Sequence, residues 1–323
     1  MGTALGRHPL VVFVGKRLVA MAVLLVVLSF VIFSLTYLAP GSAASLLLPI
    51  GERTPERIAQ INAKYHLNDS YIEQYWRWAR GVLHGNLGTS VSTSLPVWDT
   101  LKSRIPTTVF LSLFAYVLAM VSGVGSGVAA GMRRGSTVDR VTVGASIVAL
   151  SAPAFVIGVF ALYLFSVLLP VFPVAGSGTG FFDRLFHLTL PAITLACAVV
   201  AVLIRHTRAA VNGVVDQDFV TFARARGLSS REILRTYTLR NALIPIVTVS
   251  GPLLAGTVVA GVIVESTFSI SGVGSLLVSS VQTKDLPMIQ GVALLFAIVI
   301  ILMNLAADVA YFAIDPRIRH GRT

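Results

Sequence analysis

Six stretches of this chain run for about seventeen residues or more almost without charge, long enough for a helix to cross the hydrocarbon core of a bilayer. They are Leu18–Ala39, Thr107–Gly131, Val141–Leu169, Leu188–Ile204, Pro245–Val264 and Met288–Phe312, and only the last contains a charged residue, Asp308. A backbone in lipid must satisfy its own peptide groups, which leaves helices as the structure for runs of this kind. The expected fold is an all-α integral membrane protein with about six transmembrane helices. Charged residues make up 12% of the chain, about half the share usual in soluble domains. Lys16 and Arg17 precede the first run. A secretory signal has an apolar region of only about 7–15 residues, so an uncleaved signal anchor is expected there. Pro153 lies inside the third run and is expected to tilt or kink it. Pro191 is expected in the first turn of the fourth, where proline fits.

The formal net charge of +11 does not call for nucleic acid in a chain of this kind. With both termini cytoplasmic, 16 of the 25 Lys and Arg residues fall on the inner side, against Asp139, Asp216, Asp218, Glu232, Asp308 and Asp315. Basic residues in short inner loops are what sets orientation, so that arrangement is selected. The lone cysteine, Cys197, has no disulfide partner. His8, His66, His84, His187, His206 and His320 show no metal-ligand spacing, so no metal site is expected. A membrane-embedded enzyme would need a nucleophile–base pair or a metal cluster, and neither is found.

Two loops exceed what connection requires. The outer one, Pro40–Pro106, reads as two helices. One starts at Thr54-Pro55; the other starts with the capping-box pair Ser70 and Glu73 and stops at Gly85. All three tryptophans, Trp76, Trp78 and Trp98, lie in this loop. It serves either as a cap on the outer membrane surface, where such rings are favoured, or as a docking face for an external partner. The inner loop, Arg205–Ile244, predicts a short helix over Gln217–Arg226 with Phe219, Phe222, Ala223 and Arg226 on one face, stopped by Gly227. A second capping pair, Ser229 and Glu232, then starts another helix toward Pro245. This basic, aromatic-bearing unit either lies on anionic lipid or docks a soluble partner.

Weaker signals sit in the spans. Gly123, Gly127 and Gly131 form a G-x-x-x-G-x-x-x-G stripe, for close helix packing or a subunit interface, although small residues are common in membrane helices. Pro153, Glu265, Asn304 and Asp308 are gate or pathway candidates, because polar groups and helix breaks at membrane depth are functional by default.

The stretch Asp218-Phe219-Val220-Thr221-Phe222-Ala223-Arg224-Ala225-Arg226-Gly227-Leu228, with Leu239-Arg240-Asn241-Ala242-Leu243-Ile244-Pro245 after it, resembles the cytoplasmic EAA loop of binding-protein-dependent ABC importer permeases. Gly85-Asn86-Leu87-Gly88, Leu190-Pro191-Ala192-Ile193-Thr194-Leu195-Ala196, Glu265-Ser266-Thr267-Phe268-Ser269 and Gly272-Val273-Gly274 resemble the dipeptide/oligopeptide branch, in its B-type subunit. The likeness covers essentially the whole chain. The three motif positions before Gly227 hold Thr221, Phe222 and Ala223, and only the last keeps the general consensus.

The resemblance implies a type I ABC importer permease fold in the bacterial cell membrane. Residues 1–106 would form an N-terminal span plus an extracytoplasmic helical loop, and residues 107–323 a permease core with five spans and the coupling loop. It implies a permease for di- or oligopeptides delivered by an external substrate-binding protein, paired with a homologous second permease subunit and one or two cytoplasmic ATPase subunits. Nickel, glutathione or another small solute is the alternative cargo, and a gradient-driven secondary transporter the alternative class. No cofactor is implied for this chain; ATP and Mg would be used by the partners. The sequence has no G-x-x-x-x-G-K-[ST] phosphate loop. The resemblance assigns ATPase coupling to the short helix: Phe219, Phe222 and Ala223 inserting into a groove, Arg224 and Arg226 fixing register, and Asp218, Thr221 and Gly227 completing the motif.

Overall fold

The computed structural model describes residues 9–38, 44, 48, 51, 54–65 and 67–314. The basic residues Arg7, Arg317, Arg319 and Arg322, with Asp315, lie outside the described residues, as does Ala39 at the end of the first apolar run. Among the described residues, five helices are long and apolar enough to cross a bilayer, or six if a bent pair counts as one span. Named secondary structure among the described residues is helical throughout, apart from one isolated bridge between Thr89 and Pro96.

The elements are α1 (Pro9–Leu38), α2 (Pro55–Tyr65), α3 (Tyr71–Leu83), α4 (Val97–Met132), α5 (Thr137–Ser151), α6 (Ala154–Leu162) and α7 (Gly180–Val215). They continue with α8 (Asp218–Ala225), α9 (Ser230–Ile233), α10 (Leu239–Thr267), α11 (Val273–Thr283) and α12 (Leu286–Ile314). Contacts divide the chain into two compact units. One comprises residues 15–108 and 271–301; the other comprises 1–14, 109–270 and 302–323.

Several boundaries differ from the sequence expectation, each for a local reason. The third run is not one kinked helix. Ala152 and Pro153 adopt extended backbone, and α5 and the helix resuming at Ala154 are bent by 98°. Proline disfavours helical backbone at the residue before it, and here the helix ends there. Pro191 lies well inside α7 rather than in a first turn, because that helix begins at Gly180. Pro245 likewise does not open the fifth span. α10 starts at Leu239 and carries both Pro245 and Pro252 in its interior, as membrane helices tolerate. Between α9 and α10, residues Leu234–Thr238 form a π-helical turn, so the amphipathic segment and the span run on without a loop. α4 starts at Val97, inside the stretch read as outer loop, and the 11-residue α11 lacked enough apolar length to be recognised as a separate element.

In the unit of residues 15–108 and 271–301, α3 docks on the C-terminal half of α1. Phe33 packs against Tyr71, Tyr75 and Trp78, with ring centroids 5.4 to 5.7 Å apart. The Phe33–Tyr75 pair is edge-to-face and the other two are tilted, contacts that add to the area buried. The hydroxyls find partners too: Ser29 Oγ and Tyr75 Oη lie 2.8 Å apart, Ser34 bonds Tyr71, and the Tyr37 hydroxyl donates to Gln74. The capping box at Ser70 and Glu73 forms as expected, with Glu73 N–H donating to Ser70 Oγ at 3.4 Å and Ser70 N–H donating to Glu73 Oε2 at 3.1 Å. Trp76, on the opposite side, stays exposed. A second core gathers Val97, Leu101, Val273, Leu276, Met288 and Val292.

Candidate functional site

In the unit of residues 109–270 and 302–323, α7 is the central post. It packs against α5, α6 and α10. The glycine stripe of α4 also faces it. A Cβ on Gly123, Gly127 or Gly131 would lie 2.8 Å from Leu203, 2.6 Å from Thr207 or 2.7 Å from Val211. The stripe therefore makes an approach of two helices within this chain, of the kind that small residues permit in membranes. The Tyr116 hydroxyl of α4 donates to the Ser250 carbonyl of α10 at 3.1 Å, and Gly251 faces Ala307 of α12. A groove of about 410 Å³, lined by Ser122, Ala145, Ala149, Cys197 and Val200 among others, opens between α4, α5 and α7.

The basic loop is built on the end of this post. α7 ends at Val215, and Gln217 N–H bonds the Val214 carbonyl at 3.1 Å, turning the chain directly into α8. Asp218 opens α8 and Arg224 closes it, each at the end where the helix dipole favours its charge. The stop is a Schellman motif. Leu228 N–H reaches Ala223 O at 3.2 Å and Gly227 N–H reaches Arg224 O at 2.9 Å, with Gly227 at φ +81°, a left-handed conformation that costs glycine little. Ser229 then caps α9, its hydroxyl accepting from Glu232 N–H at 3.3 Å.

The face that α8 presents differs from the expected one. Val220 and Ala223 are buried with Ile233, against Val214, Leu228 and Tyr237. Ala223 therefore cannot insert into a partner. The Schellman turn folds Leu228 back over it, and the hydrophobic contact between those two positions is the usual companion of that motif. Val220 is the residue that sequence spacing passed over; its position three before Ala223 was the available signal. What remains outward is Phe222, 70% exposed, and Phe219, 40% exposed beside the Tyr237 ring at 6.2 Å. Asp218, Thr221, Arg224 and Arg226 are exposed around them. The result is a rigid knob: two phenylalanines on a short helix, ringed by arginines, fixed to the end of a span.

Pro153, Glu265, Asn304 and Asp308 do not share one environment. Glu265 is fully buried near the end of α10, Pro153 and Asn304 are exposed, and Asp308 is half-exposed. Two carboxylates that the sequence did not single out are held more elaborately. Asp139 accepts from Arg208 Nε at 2.5 Å, from Arg208 Nη2 at 2.9 Å and from Gly135 N–H at 2.9 Å. Asp285 accepts from Ser90 Oγ at 2.5 Å, Ser92 Oγ at 2.7 Å and the Val91 and Ser92 amides at 3.2 Å. It also caps α12, taking Met288 N–H at 3.3 Å. Burial pushes the Asp285 carboxyl up, but the hydrogen bonds from Ser90, Ser92 and Val91 outweigh it and hold it below the usual range. Neither site follows from a local motif, since Asp285 and Ser90 are far apart in the chain.

The described fold is a bundle of apolar helices long enough to cross a membrane, with a capped basic helix on the end of one span, an arrangement consistent with a transport protein's membrane component. Comparison narrows that class. Residues 123–320 match the family of binding-protein-dependent transport system inner membrane components, and residues 10–112 match the N-terminal family of the same components. The chain is 34% identical, over 96% of its length and 99% of the relative's, to the dipeptide transport system permease protein DppB of Escherichia coli K12. It is 35% identical, over 96% and 99%, to a probable peptide ABC transporter permease of Sinorhizobium fredii. It is 34% identical, over 95% and 99%, to the glutathione transport system permease GsiC of Shigella flexneri. A chain of the inward-facing MetNI methionine ABC transporter superposes with TM-score 0.55 at 17% identity, covering 67% of this chain and 96% of that one, a likeness of fold. The protein therefore belongs to the binding-protein-dependent inner membrane permeases of ABC importers.

Proposed function

We propose that this chain is the permease subunit of an ATP-driven importer that passes peptides inward from an external binding protein. The dipeptide and peptide permeases among its near-full-length relatives support the cargo class, and the glutathione-system relative extends it to a tripeptide-like solute. Both termini are cytoplasmic, which the inner-loop arginines support. Residues 1–106 form the leading part and 107–323 the permease core, a division supported by the two matched segments. A homologous second permease subunit completes the pathway. One or two ATPase subunits bind and hydrolyse ATP with Mg, since this chain has no phosphate loop of its own.

The observation that carries the mechanism is the exposed Phe222 on a helix hydrogen-bonded into the turns at both of its ends. α8 is the coupling helix. Phe222 and the outer edge of Phe219 enter a groove on the ATPase, Arg224 and Arg226 set their register, and Thr221 and Asp218 lie alongside. Because Val220 and Ala223 anchor α8 to Val214, a displacement of the knob is handed to α7 rather than absorbed in a loop.

Burying a phenylalanine is worth about 2 kcal/mol, so Phe222→Ala is expected to weaken ATPase attachment roughly thirty-fold. The measurement is co-purification and titration of the ATPase onto the permease pair in nanodiscs. Attachment and dipeptide uptake equal to wild type in a Phe219→Ala/Phe222→Ala double variant would refute the assignment. The chain purified alone is expected to hydrolyse no ATP. Uptake driven by this chain alone in vesicles, insensitive to ATP depletion, would favour a gradient-driven transporter instead.

A further inference from the structure

The coupling helix is attached to α7, but a permease must move more than one helix, and the structure contains a second attachment at the same place. The turn between α4 and α5 spans Arg133–Ser136. Its end is held by Asp139, in the first turn of α5. Asp139 is only 4% exposed, and its carboxylate takes both the Gly135 amide and the two-pronged Arg208 guanidinium of α7. A bidentate arginine–carboxylate pair fixes orientation as well as distance, which a lysine could not do. The same turn is tied a second time, where Arg134 Nη1 meets Asp216 Oδ2 at 3.2 Å. Asp216 is the C-cap residue just after α7, two before the start of α8.

Packing on either side shows what this tie is for. At the level of Arg208, α4 is pressed onto α7: a Cβ at Gly131 would come within 3.2 Å of the Arg208 carbonyl. Val211, one turn on, is fully buried with Ala242 and Ile246 of α10. Val214 then seats α8. The last two turns of α7 are thus gripped by α4, α10 and α8 through apolar contact. α5 reaches the same segment through ions. Farther along α5 the groove lined by Ala145 and Ala149 opens between it and its neighbours. Beyond that comes the 98° break after Ser151.

We infer that Asp139 and Arg208 are a positioning pair that makes the first turn of α5, and with it the bent α5–α6 element, follow the coupling helix. Asp139 touches neither cargo nor ATPase; it acts through Arg208. The inference rests on α8 being the coupling helix. Breaking the pair leaves α8 on its seat and α7 in place, so the ATPase still binds and turns over. Its stroke reaches α5 incompletely, and ATP is spent without import.

The test uses the full importer, with its second permease, ATPases and binding protein, in proteoliposomes. The readout is import per ATP hydrolysed, using whichever dipeptide of a defined set the wild type takes up. Asp139→Asn and Arg208→Lys are expected to retain the ATPase subunits and hydrolysis while import per ATP falls about ten-fold, and the reversed pair Asp139→Arg/Arg208→Asp is expected to recover most of it. Wild-type import per ATP in Asp139→Asn overturns the inference. So does a reversed pair that accumulates yet couples no better than the single variants. If Asp139→Asn fails to accumulate, the reversed pair decides: recovered accumulation and coupling support the role, and failure of both makes the pair structural only and overturns it. Failure of the coupling-helix assignment is read separately, as undiminished ATPase attachment in Phe222→Ala.

Discussion

Gly127 provides the most demanding test of the packing. A methyl group placed there would lie 2.6 Å from the Thr207 Cβ, 3.0 Å from the Thr207 methyl and 3.0 Å from the Ile204 carbonyl. The first distance falls about 0.8 Å short of ordinary contact, and rotating Thr207 gives no relief because its Cβ is fixed to the backbone. Gly127→Ala must therefore push α4 from α7, loosening the neighbouring contacts at Gly123 and Gly131. Overpacking of this kind costs about 2 kcal/mol, roughly thirty-fold in the folded-to-unfolded ratio. The control is Gly125 on the same helix, where an added Cβ meets nothing within 4 Å. There alanine restricts the unfolded chain and favours the helix, so Gly125→Ala is expected to be neutral or stabilising by up to about 1 kcal/mol. The assay is thermal unfolding of both variants in the same detergent, followed by far-ultraviolet circular dichroism. Equal melting temperatures for the two variants would refute the approach of α4 to α7 described above.

Removing the Tyr75 hydroxyl in Tyr75→Phe deletes its bond to Ser29 and is expected to cost about 1 kcal/mol, whereas Trp76→Ala should stay within about 0.5 kcal/mol; thermal melts of both variants check which face of α3 meets α1. Asp285 has a folded-state pKa below the usual value, so its contribution is present above the unfolded pKa and fades as pH falls through the folded one. Wild type is expected to lose melting temperature below about pH 4, and Asp285→Asn to be less stable at pH 7 with the gap closing in acid. A gap that holds constant between pH 7 and pH 3 would contradict that linkage.

The elements that were legible in the sequence are those whose cause is local. The caps at Ser70 and Ser229 and the stop at Gly227 depend on neighbours a few residues away and stand where the chain predicts, and the apolar runs are helical although several of their ends are displaced. The proline positions misled, because Pro191 and Pro245 look like helix starts in sequence but sit inside longer membrane helices. Pro153 looked like a mild kink and is a break. In α8, aromatic and basic residues identified the element, but which side faces out depended on Leu228 and Ile233 folding back from the next segment. Asp139 and Asp285 were illegible for the same reason. Their partners, Arg208 and Ser90, are 69 and 195 residues away.

The break at Ala152 and Pro153 has a consequence for solvation. When α5 ends, the Ala149 carbonyl has no amide one turn ahead to bond it, because the residue there is Pro153, which has no N–H. The Ser151 hydroxyl turns back to the Ile147 carbonyl instead, at 2.9 Å. Hydrocarbon offers open peptide groups no substitute, so irregular backbone at that depth persists only against protein or water. The bend thus leaves open peptide groups between two apolar helices, and in a bilayer such groups need protein or water, not lipid, as their neighbours.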